Sequence, residues 1–112
     1  MELTIKRIQE YLIEKYKISK PQEIKNTNRY FLKLIEEVGE LAEAIRKGNR
    51  IKDDKIKGTI EEEIIDVLYY TVMLANTYDI DIEKCFRLKE ELNAKRYNHN
   101  IKLDWKQEKI WK

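Results

Sequence analysis

Five acidic residues stand at spacings that suit metal chemistry. Glu36, Glu37 and Glu40 fall within one short stretch, and Glu63 and Asp66 repeat the three-residue interval between Glu37 and Glu40. On a helix each residue advances by about 100°, so Glu37 and Glu40 stand about 60° apart, with Glu36 about 40° from Glu40; Glu63 and Asp66 are again about 60° apart. Asp66 is the sharpest of the five, because residues 67–74 continue as a helix that is apolar nearly all round. A carboxylate there must be protonated, paired or bound to a cation, since an isolated buried charge is strongly penalised. Four or five converging carboxylates favour the cation. Oxygen donors with no Cys or His among them select a hard divalent ion, Mg²⁺ first and Mn²⁺ second. Carboxylate-bridged iron pairs in helical bundles need Glu-x-x-His, and the single histidine, His99, lies near the C-terminal tail. Glutamates also decorate ordinary solvated helix faces, and Glu61 and Glu62 read that way.

Positioning these residues requires helices. The scarcity of Gly and Pro, with 3 and 1 in 112 residues, argues against a sandwich or barrel and for an all-α chain. A first helix over residues 3–17 is predicted from the helical spacing of Ile5, Ile8, Leu12, Ile13 and Tyr16, ending before Ser19, Lys20 and Pro21. A second begins between Pro21 and Asn28 and runs to Lys47, with Phe31, Leu34, Ile35, Val38, Leu41, Ala42 and Ile45 as its apolar stripe and Gly48 as its stop. Residues 49–58 read as a polar loop between antiparallel helices. Thr59 followed by Glu62 is a capping-box pattern opening a third helix that reaches Thr77. A fourth spans residues 82–97 and is expected to turn Ile82, Cys85, Phe86, Leu88 and Leu92 inward, with Cys85 a small core residue. The organisation expected is a helical domain over residues 1–97 and a tail over 98–112, whose Leu103, Trp105, Ile110 and Trp111 should pack on the bundle or on a neighbouring subunit.

With the helices placed, the motifs resemble those of a known family, the MazG-like members of the all-α nucleoside triphosphate pyrophosphohydrolases. Glu36-Glu37-Val38-Gly39-Glu40 is similar to the family's Glu-Glu-x-x-Glu, within the longer run over residues 34–44, and Glu63-Ile64-Ile65-Asp66 to its Glu-x-x-Asp partner. The fourth helix adds Lys89, Asn93, Arg96 and Tyr97, which look like the family's Lys-x-x-x-Asn-x-x-Arg-Tyr ending. The resemblance covers residues 3–97. It implies a four-helix-type bundle assembled as a homodimer or homotetramer, with Mg²⁺ held by Glu37, Glu40, Glu63 and Asp66. It implies that water attacks a nucleoside triphosphate to release a nucleoside monophosphate and pyrophosphate, as in nucleotide-pool house-cleaning. Glu36 is the choice for accepting the proton of that water, although helical angles do not separate a base from a ligand.

Substrate contacts are less sharply marked. Lys89, Asn93 and Arg96 form one polar stripe able to meet phosphate oxygens. Asn26, Asn28, Arg29, Tyr30 and Lys33 precede the acidic motif by one to three turns and are placed to line a nucleotide pocket; of these Lys33 is taken as a substrate-binding residue. Tyr69 and Tyr70 serve packing equally well.

The charge balance narrows the partners. A formal charge of +2 leaves no field for general nucleic-acid binding. The apolar run over residues 64–75 is interrupted by Asp66 and is shorter than the ~20 residues a membrane span needs. One cysteine and no signal-peptide pattern make a cytoplasmic location the expectation. The third helix is apolar on more faces than a small monomer covers, which independently favours a homo-oligomer. Two other readings stay open. One is a non-enzymatic helical interaction module with a solvated acidic ridge; the other is a related pyrophosphohydrolase for phosphoribosyl-ATP, dCTP or dUTP, separated only by a pocket that one sequence does not map.

Overall fold

The computed structural model describes residues 1–98 and residue 103. Its helices are α1 (Ile5–Ser19), α2 (Thr27–Lys47), α3 (Ile60–Thr77) and α4 (Ile82–Tyr97), with a 3₁₀ turn over Pro21–Glu23 between the first two. No strand occurs among the described residues. None of their helices is long and apolar enough to cross a membrane. The chain forms two compact units, Met1–Ile80 and Asp81–Lys112.

Each helix starts where a side chain can take over an orphaned amide. Thr4, Asn26, Thr59 and Asp81 accept from the backbone N–H groups of Arg7, Arg29, Glu62 and Lys84, respectively. The stop of α2 is Gly48, held at φ 72°, with its N–H returned to the carbonyls of Ala44 and Ile45. The capping-box pattern closes one residue early: the Glu62 carboxylate accepts from Gly58 N–H at 2.8 Å. Glu61 is no idle surface charge either, since it accepts from the Arg50 guanidinium at 2.8 Å and from Ile51 N–H at 2.9 Å. Both glutamates, expected to be solvated, therefore tie the α2–α3 loop to the start of α3.

In the first unit α1 and α2 pack on α3, each antiparallel to it. Thr27 and Thr77 share a hydroxyl contact of 3.1 Å at one end of the α2–α3 hairpin, and Ile60 N–H donates to Asn49 at the other. Along α1, Gln9 pairs with Asn76 and Tyr16 with Tyr69, so the contact runs backwards along α3. The Gln9 amide donates to Asn76 Oδ1 at 3.0 Å and to the Ile80 carbonyl at 2.7 Å, while Asn76 Nδ2 returns to the Gln9 carbonyl at 3.3 Å. Around this buried amide pair Leu12, Tyr30, Val72 and Met73 form the core. Each contributes about 1.5–3 kcal/mol of apolar burial.

The apolar stripe expected of α2 separates into two. Tyr30 and Ala44 are buried, and Leu34, Glu37 and Leu41 are half-buried on the same face, whereas Phe31, Ile35, Val38, Ala42 and Ile45 are exposed. The two sets follow the same helical interval, offset by one residue, so α2 presents neighbouring apolar faces and uses only one against α3. In α4 the expected inward set is likewise not covered: Cys85, Phe86, Leu88 and Leu92 are exposed, and only Ile82 is half-buried. Leu103 is exposed as well. Trp105, Ile110 and Trp111 lie outside the described residues.

Candidate active site

Glu37 sits in the middle of the inner face of α2, between Leu34 and Leu41. Opposite it, Glu63 and Asp66 belong to the α3 stripe that continues to Tyr70 and Thr77, the stripe facing α2. The antiparallel hairpin thus brings one carboxylate oxygen from each of Glu37, Glu63 and Asp66 within 4.8 Å of one another. The Glu37 side chain is only 12 % exposed, and Glu63 Oε2 is buried with no hydrogen-bond partner.

Crowding of like charge shows in the acidities. Burial, followed by the negative charge of Asp66 and contact with Glu37, pushes the Glu63 carboxyl up to about 7. Glu37 is also raised, by burial and then by Asp66, and Asp66 is raised by burial and then by Glu62. An acid held this way either keeps its proton or takes up a cation. The donor set fits a cation: three hard oxygens converge, one buried oxygen is orphaned, and no softer ligand is among them. Glu37, Glu63 and Asp66 would hold a small hard divalent ion once their side chains drew closer together.

The other two carboxylates stand outside this triad. Glu40, one turn on, is exposed but near enough to help raise the Glu63 pKa. Glu36 is exposed and faces Lys33 at 3.4 Å. Lys33 also approaches Glu37 at 3.8 Å, and its ammonium lies 5.5 Å from the centre of the Tyr70 ring. Burial lowers the Lys33 pKa, but Glu36, Tyr70 and Glu37 together outweigh it and hold the side chain more firmly protonated than usual. Beside them an open groove of about 380 Å³ is lined by Asn26, Arg29, Leu32, Lys33 and Glu36. Tyr30 is no part of it, being 1 % exposed and packed edge-on against Tyr16. A larger groove along α1, lined in part by Leu3, Arg7 and Tyr11, includes none of the triad.

Lys89, Asn93 and Arg96 lie on α4, in the second compact unit. Lys89 and Arg96 are exposed there, and Asn93 donates to Glu90 at 3.2 Å. Tyr70 is the site neighbour that sequence spacing did not commit to. Its signal was position: it follows Asp66 by four residues and therefore shares its face.

Comparison with known proteins agrees with this architecture. The profile of the MazG nucleotide pyrophosphohydrolase domain matches residues 25–100. Crystal structures of iMazG from Vibrio DAT 722 are similar over most of the chain. The N-terminally tagged form is 41 % identical with a TM-score of 0.70, covering 87 % of this chain and all of that one. A C-terminally tagged form is 42 % identical with a TM-score of 0.67, covering 81 % of this chain and 98 % of that one. No curated protein sequence matches.

Proposed function

The chain belongs to the MazG nucleotide pyrophosphohydrolase family, and from that membership we propose that it hydrolyses ribo- or deoxyribonucleoside triphosphates to the monophosphate and pyrophosphate, with Mg²⁺ as cofactor and Mn²⁺ as a substitute. The observation that carries the reading is the convergence of Glu37, Glu63 and Asp66 around a buried, unpartnered carboxylate oxygen. These three would hold the cation, with Glu40 completing the set from the next turn. When bound, the ion neutralises charge on the phosphates and favours ionisation of a water.

The remaining steps belong to side chains of this protein. Glu36, exposed beside the triad, is assigned to orient the attacking water and accept its proton. Lys33, at the edge of the groove, is assigned to the developing charge on the phosphates. Lys89, Asn93 and Arg96 of α4 are assigned to further phosphate oxygens, on the strength of the family resemblance. Crowded carboxylates also favour reaction in the metal-bound state only, because without the ion they repel an anionic substrate.

The exposed outer face of α2, with Phe31, Ile35, Val38 and Ile45, supports assembly as a homodimer or homotetramer. The role proposed is removal of unwanted nucleotides from a cytoplasmic pool. The test is incubation with each common nucleoside triphosphate in Mg²⁺ or chelator, with products resolved as monophosphate plus pyrophosphate or diphosphate plus phosphate. Monophosphate and pyrophosphate that vanish in chelator and in Asp66→Asn support the assignment. No turnover, with no change in melting temperature on adding Mg²⁺, would sink it and return the helical interaction module.

A further inference from the structure

We infer that Lys33 couples binding of the divalent cation to binding of the phosphate chain, an inference that rests on the metal-dependent reading above. The Lys33 ammonium is 3.8 Å from Glu37, a member of the triad, and 3.4 Å from Glu36, which is outside it. Its side chain is about one-third exposed, and the Tyr70 ring provides a third partner. Two effects of opposite sign follow from this position.

Without nucleotide, the positive charge beside Glu37 competes with a divalent ion for the same carboxylate and repels it. With nucleotide bound, phosphate oxygens would share the ion with Glu37 and so come close to the residues beside it. The ammonium beside Glu37 is then within a side-chain adjustment of those oxygens, and its repulsion of the ion is offset by attraction to the phosphates. Glu36 and the Tyr70 face keep the lysine partnered as it leaves Glu37, and the open groove gives its head group room to move. Lys33 therefore weakens the lone metal complex and strengthens the complex with nucleotide. By thermodynamic reciprocity, metal and nucleotide each raise the affinity for the other.

The experiment titrates the full chain with Mn²⁺ alone, counting free ion by electron paramagnetic resonance, and measures KM for a hydrolysed nucleoside triphosphate. Wild type, Lys33→Met and Lys33→Arg are compared, with Lys33→Gln replacing the Met variant if circular dichroism shows that it fails to fold. The neutral variant should bind Mn²⁺ about 3- to 10-fold more tightly while its KM rises by a similar factor; Lys33→Arg should retain both wild-type values. A purely structural lysine would not move the two constants in opposite directions. Unchanged or weaker Mn²⁺ binding in the neutral variant, or tighter binding with unchanged KM, overturns the inference and leaves the metal reading standing. Absence of Mn²⁺ binding by wild type overturns the inference, and absence of metal-dependent turnover as well overturns both.

Discussion

Replacing Glu63 by Gln should make the metal-free protein more stable at pH 8. The Glu63 carboxyl rises from its ordinary 4.5 to about 7 through burial and the charge of Asp66. The folded state therefore binds this proton more tightly than the unfolded chain does, and stability falls as pH rises from about 4.5 through about 7. Taken at full strength the shift corresponds to about 3 kcal/mol, and solvent screening at the edge of the hairpin reduces it to about 1–2 kcal/mol. Glutamine keeps the shape and a donor toward Glu37 while removing the ionisable group. In chelator, Glu63→Gln should match wild type near pH 4.5 and melt higher at pH 8, by about 4–8 °C per kcal/mol for a domain of this size. Added Mg²⁺ should reverse the order, raising the melting temperature of wild type and leaving the variant nearly unchanged. Thermal scans by circular dichroism across pH, with and without the ion, measure all three. A variant less stable than wild type at pH 8 in chelator would refute the argument that the triad is a site of unrelieved repulsion.

Other substitutions probe separate parts of the same structure. Asp66→Asn and Glu37→Gln should each lower metal-dependent hydrolysis by about 10²-fold or more with helicity intact, as read by product assay and circular dichroism. Asn76→Ala breaks the buried amide pair and takes from the Gln9 amide one of its two acceptors, leaving the Ile80 carbonyl, so denaturant unfolding should show a loss of about 1–2 kcal/mol. At Gly39, an added Cβ would meet nothing within 4 Å; Gly39→Ala should therefore stabilise α2 by about 0.5–1 kcal/mol in the same assay. Val38→Glu charges the exposed face of α2 and should shift light-scattering mass toward the monomer.

Helix limits were legible because they depend on local chemistry. Thr59 and Asp81 cap the helices they precede, and Gly48 adopts the left-handed turn that stops α2. The meeting of Glu37 with Glu63 and Asp66 was legible for a related reason, since repeated spacing on two adjoining helices leaves few ways to face them. The positions of Glu36 and Glu40 were not, because angles measured from one helix do not give its azimuth against the next. The same ambiguity merged the two apolar faces of α2 into one stripe and made Tyr30 look like a pocket residue. Glu61 was misread because its partners, Arg50 and Ile51, lie in a loop whose path no periodicity encodes. That loop turns through Asp53 and Asp54, both at positive φ, with Lys55 N–H returned to the Lys52 carbonyl at 3.0 Å.

The two faces of α2 make one helix answerable to two neighbours. Glu37 points inward and Val38, the next residue, belongs to the exposed set. Turning α2 about its axis by about 20° would carry side-chain atoms some 5–6 Å from that axis through about 2 Å. A roll that better seated the outer face would therefore draw Glu37 away from Glu63 and Asp66. A partner packed on that outer face would thereby bear on the spacing of the three carboxylates, and a change of volume at Ile35 or Val38 should alter that spacing.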